Sequence, residues 1–182
     1  MIINSMTHKA LTRHGARALD LLDTYWTGLA TRGQLPLWTD LDPSRFQDAL
    51  DHAFLAECHG TSHARFRVAG SAVADLVGQP CPGLPLSLMI RSKDRPAFNA
   101  AIATCRTGRA MDLTLNAAAG AASARMVLYP LVDTTGVVTQ MLGGLAGVTE
   151  SGPHHGPFSI ATAQACPTPA RRSCLRLVVD NT

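Results

Sequence analysis

Apolar residues recur at intervals of three, four and seven between about 7 and 31, through Leu11, Ala18, Leu22, Tyr25 and Leu29. That spacing marks one face of an α-helix and predicts a long amphipathic helix at the start of the chain. Arg32-Gly33 closes it with a cation followed by glycine, and Pro36 blocks its return. The stripe fits two uses: packing on the chain's own domain, or a dimer seam, because Leu11, Ala18 and Tyr25 keep a seven-residue step. A run of fewer than about four heptads favours the first.

Asp42-Pro43 supplies an N-cap and a proline at the first helical position, and Phe46, Ala49 and Leu50 form the apolar face of a brief second helix. Residues 53–58 and 64–69 read as two strands of a hairpin around His59-Gly60-Thr61-Ser62. Strict alternation on the second strand puts Phe66 and Val68 on one face and Arg65 and Arg67 on the other. A short helix follows over 71–77. The stretch 78–85 is then broken by Gly78, Pro80, Pro82, Gly83 and Pro85.

Asp94 is placed to cap a helix running to Thr107, with Phe98, Ala101, Ile102 and Cys105 inward and Gly108 as its stop. Met111, Leu113 and Leu115 alternate with polar residues, and 125–131 and 137–148 complete a three-stranded meander. The expected architecture is α+β: a five-stranded antiparallel sheet with helices on one face, preceded by the N-terminal helix. The expected division is 1–36 for that helix and its connector, 37–149 for the domain, and 150–182 for a Pro- and Gly-rich tail. Within the tail, Leu175-Arg176-Leu177-Val178-Val179 has strand composition that suits an exposed edge or a partner.

Composition narrows the function. The 182 residues are 46% hydrophobic and 16% charged, which suits one globular core with an appendage at each end. A net charge of +3, with basic residues dispersed except near the end, gives nucleic acid little support as a partner. No apolar run reaches the roughly 18 residues of a membrane span, and a cytoplasmic protein is the simplest reading. The five cysteines form no C-x-x-C, so reduced thiols are expected. Cys58 and Cys105 read as core, while Cys81, Cys166 and Cys174 are expected to see more water. His154-His155 lacks a third ligand at metal spacing, so no metal is assigned. Phosphate loops, serine elbows and H-E-x-x-H are missing from the sequence, which argues against an enzyme; the remote exception is thiol chemistry at Cys81.

The order of short motifs is more specific than any one of them. Tyr25-Trp26, Arg32-Gly33-x-Leu35-Pro36 and Asp40-x-Asp42-Pro43 come first, then Arg65-Phe66-Arg67-Val68-Ala69-Gly70 and Gly83-Leu84-Pro85-Leu86-Ser87. Pro130-Leu131, Leu142-Gly143-Gly144 and Pro157-Phe158-x-Ile160 follow. Together they resemble the PAS domain family, in its compact bacterial branch often found as a stand-alone protein. Trp38 departs from that pattern, which commonly has a small residue or arginine there, and the late motif lacks paired arginines before its phenylalanine.

The resemblance implies sensory or signalling work through ligand binding or dimerisation. It carries over no general cofactor. Haem-binding members need a histidine on the helix that faces the cavity, and 94–107 has none; photoreactive flavin members need a cysteine setting that Cys81 lacks. Neither haem nor a photoreactive flavin is therefore expected. A small organic ligand lined by Phe66, Val68, Leu88 and Phe98 is one expectation; the other is that these four are core. Arg65 and Arg67 suit an anion, or a clamp to Asp40 and Asp42. With no kinase, cyclase or DNA-binding segment recognised, output is expected to pass through a signalling partner or a homodimer.

Overall fold

The structure, a computed structural model, describes residues 11–30, 33–117, 122–147 and 156–166. The helix α1 (Arg13–Leu29) is followed by the hairpin β1 (Ala53–His59) and β2 (His63–Ala69), then α2 (Ser71–Val77) and α3 (Arg95–Arg106). The strands β3 (Met111–Asn116), β4 (Ala122–Val132), β5 (Val138–Gly147) and β6 (Ser159–Ala165) follow. They form one antiparallel sheet in the order β2-β1-β5-β4-β3-β6. The α+β, PAS-like plan expected from the pattern therefore holds, with six strands where five were expected.

The extra strand lies in the stretch read as tail. Phe158 is fully buried, its amide bonded to the Met89 carbonyl at 2.6 Å and its carbonyl accepting from the Arg91 amide at 2.9 Å. Anchored there, the late motif feeds β6 onto β3, where Ala163 pairs with Leu113. The expected divisions after residue 36 and before residue 150 thus fall inside one packed body. His154, His155, Cys174 and the 175–179 segment lie outside the described residues.

Alternation along the strands sorts the apolar side chains into two layers. On the inner face, Phe54, Phe66, Leu113, Met126 and Leu128 meet Phe98 and Ile102 of α3. On the outer face, Leu19, Leu22 and Trp26 of α1 meet Val127, Tyr129 and Leu142. The helices therefore cover both faces rather than one. A side chain at Gly144 would run into Leu19 and Leu22, so the bare backbone of β5 is what lets α1 settle onto the sheet. Trp26 adds a fixed point: its indole N–H donates to the Pro130 carbonyl at 3.0 Å, and its ring stacks on Tyr129 at 5.3 Å.

Individual elements differ in detail from the pattern along the chain. Thr12 caps α1 by accepting from the Gly15 amide, so within the described residues the helix starts later than the spacing suggests; 7–10 and 31–32 are not described. The second helix is 3₁₀ over Pro43–His52, kinked at Phe46, with Asp42 capping it through the Ser44 amide. Asp94 precedes α3 but makes no side-chain cap bond, and one of its carboxylate oxygens is buried without a partner among the described residues. Among the described residues no helix is long and apolar enough to cross a membrane.

Candidate functional site

The outer face is covered unevenly. α1 lies over β5 and β4, while among the described residues the β1–β2 end is bordered by the 3₁₀ turn Trp38–Asp40 and the segment Pro43–His52. Between these and the strands lies a groove of about 500 Å³, with Phe46 and Leu142 in its lining. Trp38, Leu50 and Val68 line it too, and they are three of the four large apolar side chains that remain exposed among the described residues. Single exposed apolar residues are ordinary; three converging on one concavity are not.

Val68 reaches this groove because β2 does not alternate strictly. Leu55 pairs with Val68 and Ala56 with Phe66, so Arg67 is the extra residue of a β-bulge. Phe66 follows Ala56 into the inner core, whereas Val68 follows Leu55 to the outer side and is 63% exposed. The expectation that Phe66 and Val68 share a face is corrected accordingly. A bulge depends on the partner strand and leaves no mark in the period of its own strand.

The four expected pocket residues consequently part company. Phe66 and Phe98 are packed in the core, Leu88 is half-buried in the Leu86–Met89 turn, and Val68 lines the groove. The expected arginine clamp does not form either. Arg65 donates to the Gly83 carbonyl at 3.2 Å, and the Arg67 guanidinium lies over the Trp38 ring, 6.0 Å from its centre. Among the described residues neither pairs with Asp40 or Asp42.

Tyr25 performs the work assigned to that clamp. Its hydroxyl accepts from the Asp42 amide at 2.7 Å and its ring packs on Phe46 at 4.7 Å, tying the groove's wall to α1. The opposite end is held by Ser71, whose hydroxyl donates to the Asp51 carboxylate at 2.9 Å. Gly70 lets the two segments meet, since a side chain there would strike the Leu50 and Asp51 carbonyls. The helix stripe Ala18, Leu22 and Tyr25 is buried against the chain's own sheet, with Leu11 and Leu29 partly buried beside it. That answers the two-way reading of the stripe: its apolar face is occupied within the molecule.

In the sequence Trp38 stands out only as a departure from a pattern, and Leu50 only as part of a helix face. Their signal was weak because exposure is a property of what fails to cover a residue. Nucleophile chemistry gains no support at Cys81. Cys81, expected to see more water, is instead buried, and burial pushes its thiol above the ordinary range, opposite to what a thiolate nucleophile needs. Among the described residues no group of three or more His, Cys, Asp or Glu is placed to hold a metal ion.

Comparison with known families agrees with this architecture. The family model of the PAS domain matches residues 14–146, from α1 through β5. The chain belongs to the PAS domain family, a class of sensory and interaction modules. Among curated proteins none matches it.

Proposed function

We propose that the protein is a sensory or adaptor PAS domain that acts by engaging a ligand or partner at the Trp38–Leu50–Val68 groove, with no catalytic step of its own. The convergence of three exposed large apolar side chains on one concavity carries this reading. A tryptophan beside an arginine, over an apolar floor, is also the composition of anchoring residues in binding surfaces. The described cysteines, Cys58, Cys81, Cys105 and Cys166, are free thiols, which fits a reducing compartment such as the cytoplasm. A homodimer remains within the proposal, formed through this groove rather than through the buried stripe of α1.

The test is native mass spectrometry of freshly purified protein beside denaturing spectra, for the wild type and Val68→Glu. The reading expects a species heavier than the bare chain, either a retained small molecule or a bound protein, that the substitution removes. Identical spectra from both, or an extra species that survives the substitution, would place the working face elsewhere.

A further inference from the structure

The proposed groove is apolar with one charged lining residue, the Asp51 carboxylate. Its wall from 38 to 52 carries Asp40, Asp42, Asp48 and Asp51 against the single Arg45. All four aspartates are exposed. Arg67 lies over Trp38 and pairs with none of them among the described residues. A complementary occupant therefore has apolar side chains interleaved with cations.

The chain holds such a segment. Leu175-Arg176-Leu177-Val178-Val179 follows Arg171-Arg172, and in 167–182 three arginines face the single Asp180. Register places its point of departure. Ala165 pairs with Met111, Met111 with Leu128, Leu128 with Gly143, Gly143 with Phe54, and Phe54 with Ala69. These residues form one row across the sheet, from the end of β6 to the groove.

Five strand spacings separate the two ends of that row, roughly 24 Å. Cys166, the next residue after β6, packs against the outer-face cluster, so the chain leaves on the side where the groove opens. Leu177 lies eleven residues beyond Cys166, a reach of roughly 37 Å when extended. The difference leaves slack to pass around α1.

We infer that the groove is a docking site for the chain's own 175–179 segment, with Leu175, Leu177 and Val179 against Trp38, Leu50 and Val68 and Arg176 near the aspartate-rich wall. This rests on the groove being the engagement face proposed above. It adds a mode of control, in which an external ligand or partner must displace the segment.

Hydrogen exchange on the full chain, with light scattering for oligomeric state, tests it. Wild type is compared with Val68→Glu, with Leu177→Asp, and with Arg176→Glu alone and combined with Asp51→Arg. Expected is amide protection over 175–179 and around 38, 50 and 68 in a monomer, independent of protein concentration. Either single apolar substitution lowers protection in both regions by about tenfold. Arg176→Glu weakens it, and the added Asp51→Arg restores part of it.

Fast exchange of 175–179 in the wild type would overturn the inference. Protection that rises with concentration together with a dimer broken by Val68→Glu would make a second copy the occupant. Groove protection that survives Leu177→Asp and accompanies a retained small molecule would make that molecule the occupant. These last two results overturn self-docking while leaving the groove as the working face. Val68→Glu without effect on exchange in either region, and without effect on retained mass or assembly, sinks both proposals.

Discussion

The inner and outer faces of the sheet are built from the same alternating strands, yet their ends differ. On the inner face α2, α3 and the Leu86–Met89 turn meet a continuous apolar layer, and Phe54, Phe66, Phe98 and Phe158 are each at most 2% exposed. On the outer face, among the described residues, a single helix covers the middle strands. The β1–β2 end is left to a short 3₁₀ wall that does not close over it, and Trp38 and Leu50 remain 38% and 41% exposed. The closed face confers stability, whereas the partly covered face leaves room for binding. A PAS core can thus keep its interior filled and still present an apolar concavity on the opposite side.

The sharpest separation of the two comes from truncating each. Phe98→Ala removes a fully buried ring from the inner layer and should lower unfolding free energy by about 3–5 kcal/mol in urea titrations. A much smaller loss would mean that the inner face is less well filled than described. Gly144→Val forces α1 away from β5 and should cost about 1–3 kcal/mol, with Trp26 fluorescence shifting to the red as its stack on Tyr129 loosens. Unchanged emission would show that the helix does not depend on that bare backbone.

Alkaline pH probes the covered part of the outer face. Burial, and next the charge and hydrogen bond of Asp23, hold the Tyr129 phenol protonated above its ordinary range. Above pH of about 10 the unfolded chain loses this proton and the folded one keeps it, so stability falls as pH rises. The expected slope from this group is about 1.4 kcal/mol per pH unit at most, and Tyr129→Phe should remove it. Equal slopes in the two proteins would mean that the phenol titrates normally. Least of all, Val68→Glu should lower stability by no more than about 1.4 kcal/mol, the equivalent of a tenfold loss of docking, while altering what the groove holds. A larger loss would make Val68 part of the core.

Much of the fold was readable along the chain because its determinants are local. The α1 stripe, the β1–β2 hairpin and the meander of β3, β4 and β5 each carry a period or a turn within one short window. The Leu142-Gly143-Gly144 and Pro157-Phe158-x-Ile160 motifs were visible as family signs. Their physical roles, a seat for α1 and an anchor for β6, required the packed molecule. The candidate site was far less legible. Phe66, Leu88 and Phe98 were sensible pocket candidates by hydrophobicity, but filling and lining use the same residue types.

By itself the sequence determined the order of elements, the membership in the PAS domain family and the set of apolar residues available for burial. Only the tertiary structure decided which of them stay in water. The bulge at Arg67 turns Val68 outward, Tyr25 rather than an arginine pair holds the 38–52 wall, and β6 joins the far edge of the sheet. Periodicity reports which side chains share a face. Coverage of that face is set by contacts between segments far apart in the chain, and no local window contains them.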